Sequence, residues 1–202
     1  MNPLLSVKGS FITAFVLAAI VSIWLTIGAG TEIAFSHAQL GRWLHIVSGV
    51  MWIGLLYYFN VVQVPGLADA AADKGGPGGA GISKYIAPKA LFWFRWAAVV
   101  TWITGAWYLG SGFGDSGAFV RAFTLQPGFR TIGVGVWLGT IMLFNVWVFI
   151  WPNQQKILGL KPATDEQKAA ARKTALYASR TNFILSVPML MCMGGQMHGL
   201  PL

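Results

Sequence analysis

Uncharged apolar runs separated by short polar stretches set the pattern of this chain. No charged residue occurs between Lys8 and Glu32, nor between Arg42 and Asp69. At 1.5 Å of rise per residue, about 20 apolar residues span the hydrocarbon of a bilayer. Runs of about that length predict helices at about 11–28, 38–63, 89–110, 130–151 and 181–197. Ser36-His-Ala-Gln39 has capping-box spacing ahead of the second run, placing His37 in its first turn at the membrane surface. Thr164-Asp-Glu-Gln167 has the same spacing, and a helix starting there can pass through Arg172 and Lys173 into the fifth run. Pro88 suits the first turn of the third helix, Pro152-Asn153 is expected to end the fourth, and Pro188 to bend the fifth. Residues 64–87, with Lys74-Gly-Gly-Pro-Gly-Gly79, read as a flexible Ala/Gly-rich loop. The loop at 111–129 carries Asp115, Arg121 and Pro127. The first run exceeds the roughly 7–15 apolar residues of a cleaved signal, so it reads as an anchor. With no strand-like alternation and no internal repeat, the expected fold is all-α: one integral-membrane helical bundle over 1–202 with five transmembrane helices.

Composition agrees. The chain is 55% hydrophobic and 10% charged, with ten Trp, whereas about a quarter of a soluble domain is charged. The net charge of +8 does not come from a basic arm, so it gives no nucleic-acid signal. Lys8, the 64–88 loop with Lys89, and the 153–175 loop hold nine Lys and Arg, while Arg42, Arg121 and Arg130 lie opposite. That asymmetry puts the N-terminus in the cytoplasm and the C-terminus outside, as in a multi-pass protein of the bacterial inner membrane. The single Cys192 excludes an internal disulfide and a Cys-x-x-Cys-His haem attachment. All six acidic residues lie outside the apolar runs, against a proton-coupled transporter. Neither a phosphate loop nor a nucleophile–base motif is present.

One residue interrupts the second run. His45 sits about a turn inside it, and an ionisable ring in lipid is costly unless it faces protein, water or a ligand. On a helix Gly41, His45, Gly49 and Trp52 share one face, which predicts a flat slot before the imidazole. The orientation places His45, His198, Arg42, Arg121 and Arg130 at the outer side. An axial imidazole, a narrow apolar slot and cations for propionates are what a haem b requires. The plainer account is a histidine that hydrogen-bonds a neighbouring helix. A second candidate lies at the C-terminal end, where Met189, Met193 and Met197 recur every four residues beside Cys192 and His198. Those soft ligands suit Cu(I), although Met stripes commonly serve packing. Arg95, among aromatics near the inner surface, reads as an interfacial anchor. Asn60, Gln63, Asn145 and Asn182 either join helices or line a polar pocket, and Gly135-Val-Trp-Leu-Gly139 would let another helix approach closely.

Four stretches carry a family resemblance. Trp43-Leu-His-Ile-Val-Ser-Gly-Val-Met-Trp-Ile-Gly54, Phe94 to Gly105, Gly139-Thr-Ile-Met-Leu-Phe-Asn to Pro152-Asn-Gln-Gln-Lys156, and Asn182 to His198 resemble the membrane domain of bacterial urate hydroxylase, the PuuD-type urate oxidase. The resemblance implies an oxidoreductase membrane domain handing electrons to a cytochrome c, which in full-length members is fused at the C-terminus. Ending at Leu202, this chain is expected to be a short form lacking that domain. The family's histidine before Gly-Thr-Ile-Met is replaced here, where Gly133 and Gly135 stand.

The expectation is therefore a membrane-embedded redox subunit holding haem b. His45 would be the ligand and His198 a second one. Gly49 and Trp52 would line the slot, and Arg42 or Arg130 would pair with the propionates. Its partners would be membrane lipid and other membrane subunits or a cytochrome c. A cofactor-free accessory subunit of a larger membrane complex is the alternative. Copper handling by Met189, Cys192, Met193, Met197 and His198 is the third.

Overall fold

The structure, a computed structural model, describes residues 2–112 and 116–200, so Asp115 lies outside the described residues. All regular structure among them is helical. The chain divides into two compact units, Met1–Ser36 and His37–Leu202.

The first unit is dominated by α1, Val7–Gly28. It begins earlier than expected because Ser6 caps it, its hydroxyl accepting the Gly9 N–H at 3.0 Å. None of its residues is buried.

The second unit is built from α2 (His37–Tyr57), α3 (Val64–Ala72), α4 (Ala87–Ser111), α5 (Ala118–Phe123), α6 (Arg130–Asn145), α7 (Trp151–Ile157) and α8 (Asp165–His198). Wide π turns at Tyr58–Gln63 and Val146–Ile150 join α2 to α3 and α6 to α7, and a third, Ile82–Ile86, leads into α4. Each of these turns ends two residues before a proline, Pro65, Pro88 or Pro152. A proline lacks the N–H for the ladder, and its ring crowds the carbonyl four residues back; a widened turn accommodates both.

This corrects two expectations. Helix continues through Pro152 to Ile157 instead of stopping there. The 64–87 segment is mostly helical, leaving only 73–79 outside helix. The Thr164 capping box is present, with the hydroxyl accepting the Gln167 N–H and the Gln167 side chain accepting the Thr164 N–H at 3.0 Å. From it α8 runs unbroken through Pro188, so the fifth expected span is the second half of a 34-residue helix.

The helices α2, α4, α6 and α8 form an antiparallel ring. His45 meets Thr101, Trp102 meets Thr140, Asn145 meets Asn182, and Ser186 meets Tyr57. The core lies toward the α3 end: Leu56 and Phe59 of α2 and its π turn, Leu91 and Phe94 of α4, Met142, Val146 and Ile150. Phe59 packs edge-on against Phe94 at 5.4 Å, and Trp96 against Trp147 at 5.4 Å. Helices in lipid gain little from hydrophobic burial, so such contacts and interhelical hydrogen bonds carry the assembly. Of the amides at the helix crossings, Asn182 is fully buried, accepting from Asn145 Nδ2 and donating to the Met142 carbonyl, both at 2.9 Å. Asn60 donates to Ser179 Oγ at 2.9 Å. Arg95 stacks its guanidinium 3.8 Å from the Trp151 ring centre.

Among the described residues, three helical stretches are long and apolar enough to cross a membrane: Val7–Gly28, His37–Ala72 and Arg130–Ile157. Replacing Asn182 by Leu removes the partner of the half-buried Asn145 amide and the side-chain bond to the Met142 carbonyl, which keeps only its backbone donor. It should lower the unfolding free energy by about 1–2 kcal/mol in a detergent denaturation titration. An unchanged midpoint would show that this pair does not hold α6 to α8.

Candidate functional site

The end of the bundle opposite that core is hollow. A cavity of about 690 Å³ lies among α2, α4, α6 and α8, with Phe119 and Phe123 of α5 on its wall. Its size is within the roughly 300–1,000 Å³ of small-molecule sites. The polar groups on its wall include Arg42, His45 and His198, and the rest is largely aliphatic, aromatic and Met side chains.

His45 is fixed by α4. Its Nδ1 lies 2.7 Å from the Thr101 carbonyl oxygen. A carbonyl only accepts, so Nδ1 carries the proton and the neutral ring keeps its lone pair on Nε2. A backbone carbonyl behind one ring nitrogen is the usual way a protein sets the tautomer of a metal-binding histidine. The close approach depends on Gly105, where an added methyl would lie 2.7 Å from His45 Nδ1 and 2.8 Å from Cε1. Thr101 turns its own hydroxyl away, donating to the Ala97 carbonyl at 2.7 Å.

The glycines beside His45 have separate tasks. Gly41 faces Trp107, whose ring would lie 3.4 Å from an added methyl, and Gly49 faces the Thr101 methyl at 3.7 Å. They let α2 and α4 approach, and Gly49 also lines the cavity, as does buried Trp52. The space itself is opened elsewhere. Gly139 of α6 is buried, yet a methyl placed there would meet no atom within 4 Å. Only a cavity satisfies both statements.

Gly135 does pack helices as its GxxxG spacing suggests, with an added methyl 3.2 Å from Cys192 Cβ, whereas Gly139 does not. Gly133 faces the Ala122 backbone and has no room for a larger side chain, and Gly135 is tightly packed against Cys192 and Met193.

Arg42 and His198 are exposed and border the cavity. Arg130 is exposed at the start of α6 and is not on the cavity wall, and Arg121 holds its guanidinium 4.5 Å from the Phe129 ring centre. Met189, Met193 and Met197 share the wall with His198, but Cys192 is buried at the α6–α8 crossing and is not part of it. Among the described residues no group of three or more His, Cys, Asp or Glu could hold a metal ion. Gln196 stitches this end together, accepting the Ile132 N–H at 3.0 Å and donating to the Gly128 carbonyl at 2.8 Å. Thr101, Gly105 and Gln196 carry no sequence signal of their own, because each matters only through a residue far away in the chain.

Residues 116–200 match the family model for the urate oxidase N-terminal region. The match spans α5 to α8, half of the bundle ring, and is consistent with a urate hydroxylase-related membrane domain. It takes in two of the four resembling stretches, Gly139–Lys156 and Asn182–His198, while Arg42, His45 and Trp52 fall outside it. No curated protein and no solved structure matches the chain.

The tautomer can be read directly. In ¹⁵N-histidine spectra of ligand-free protein, His45 should show an unprotonated Nε2, and Gly105→Ala should shift that signal by pushing the ring from Thr101. A His45 protonated on Nε2 in the wild type would contradict this geometry.

Proposed function

We propose that the chain is an integral-membrane redox subunit that carries a haem b in the bundle cavity, with His45 as axial ligand. The observation that carries the reading is the His45 imidazole, its Nδ1 tied to Thr101 and its Nε2 left with a lone pair, at the wall of an apolar cavity. The residues present suit the group. Arg42 at the rim offers a cation for a propionate, Arg130 at the start of α6 is off the wall, and His198 at the end of α8 offers a second imidazole. A bound haem would supply a one-electron carrier within the membrane. Around it Gly49, Gly105 and Gly139 give room, while Met189 and Met193 exclude water.

In this reading α1, α2, α4, α6 and α8 cross the bacterial inner membrane, N-terminus in the cytoplasm. The loop charges support that orientation, and the cavity then lies on the outer side. Electrons would leave for a cytochrome c or a larger complex. Urate as their source is supported by the family match and the resemblance. The shared wall of Met189, Met193, Met197 and His198 favours a second reading, Cu(I) binding in the same space.

The visible spectrum of protein purified from membranes tests the first reading. A Soret band should appear, vanish in His45→Ala, and vanish in Gly139→Leu, which fills the space, while both variants elute as folded protein. A colourless wild type that always accompanies partner subunits would replace the haem reading with the accessory one. A colourless wild type containing copper, lost on Met193→Leu, His198→Ala, would favour the metal reading.

A further inference from the structure

Between Lys89 and Asp115 the chain carries one charge, Arg95, about two turns into α4. Side chains on a helix lean toward its N-terminus. The Arg95 guanidinium comes to rest 3.8 Å from the Trp151 ring centre, with the Phe92 ring of its own helix at 5.3 Å. Those rings fix the cation in place and meet its charge only in part. None of the six acidic residues lies in α4, α6 or α7. Among the described residues Arg95 forms no ion pair and donates no hydrogen bond. A guanidinium presents five N–H donors in a rigid fork. Here the fork is held by rings and has no protein acceptor.

The level of that fork selects what can reach it. Trp151 is the last residue of the apolar run 130–151, and Asn153, Gln154, Gln155 and Lys156 follow. In a membrane-spanning bundle the fork therefore sits where hydrocarbon gives way to headgroups. Lys89 and Lys156 add two cations at the same end of α4 and α7. Toward the bilayer centre α4 bears an uncovered apolar stripe, Phe92, Trp96, Val100 and Ile103, exposed at 46%, 45%, 43% and 55%. Steps of four, four and three put these residues on one helix face. A cationic fork at headgroup level, continuous through Phe92 with an open apolar face, matches an amphiphile with an anionic head.

We propose that the Arg95–Trp151 seam binds an anionic phospholipid of the cytoplasmic leaflet, with its phosphate in the Arg95 fork and an acyl chain along the stripe from Phe92 to Ile103. Arginine takes phosphate oxygens through two parallel N–H bonds, and basic sites between membrane helices on the cytoplasmic side suit such headgroups. Free phosphate shares the head chemistry but has nothing to lay on the stripe. Phosphatidylcholine has head and chains, yet its choline cation is repelled by Lys89 and Lys156. Such a site requires α4 and α6 to cross the membrane, and it requires neither the cavity nor haem.

The full chain in dodecyl maltoside is titrated with tritiated dioleoylphosphatidylglycerol, protein-bound label being counted after rapid gel filtration. Wild type should bind the lipid saturably, and unlabelled dioleoylphosphatidylcholine or millimolar inorganic phosphate should displace it poorly. Arg95→Gln should weaken binding about tenfold, the worth of a charge-assisted pair. Arg95→Lys, which keeps the charge and the contact with Trp151 but loses the fork, should weaken it about threefold. Lys161→Gln removes a charge on the same side of the membrane, outside the seam, and should leave binding unchanged. Equal affinity in Arg95→Gln, an equal loss in Lys161→Gln, or full displacement by phosphatidylcholine or by inorganic phosphate overturns the proposal. The Soret band of the same wild-type sample separates the two readings: a band without saturable lipid binding sinks the lipid site alone, and lipid binding without a band sinks the haem reading alone.

Discussion

The hydrogen bond between His45 Nδ1 and the Thr101 carbonyl governs the rest of the molecule. It requires α2 and α4 to lie close enough for an imidazole to reach the neighbouring backbone, which Gly41, Gly49 and Gly105 permit. It decides which nitrogen keeps a lone pair. An intramembrane histidine that served only to join helices would be satisfied by that single contact. Here the second nitrogen is left to a large apolar space, and the ring belongs both to packing and to a site.

The bundle divides its labour along its length. At the α3 end, aromatic side chains and the amides of Asn60, Asn145 and Asn182 lock the four helices together. At the His45 end, packing is given up over a volume that a rigid frame must hold open. Gly139 shows this most clearly, since a buried helical glycine ordinarily lets a neighbour approach, and nothing approaches it. Gln196, bridging α8 to the start of α6, keeps the hollow end from fraying.

Helix positions are legible in the sequence because uncharged runs and capping boxes are local signals; Thr164 and Gln167 cap α8 as their spacing requires. His45 stands out for its cost in lipid. What lies opposite a residue is not local. Thr101 is 56 residues from His45, and no periodicity points to it. The slot expected beside Gly41 is taken by Trp107 for the same reason, and Cys192, sharing its helix with the Met stripe, faces Gly135 and not the cavity. The 64–87 segment reads as loop from its composition, yet most of it is helical, because π turns absorb the prolines that would otherwise break the helices. The family match bears on α5 to α8 and leaves the His45 half to the geometry alone.

A density map of the protein purified from its native membrane tests the central claim most directly, because it looks at His45 Nε2 without assuming what binds there. The account predicts non-protein density filling the space beside Gly139 and meeting that nitrogen. A map in which α2 and α8 close on each other, with the His45 ring packed among aliphatic side chains and its Nε2 bonded to another helix, would contradict it.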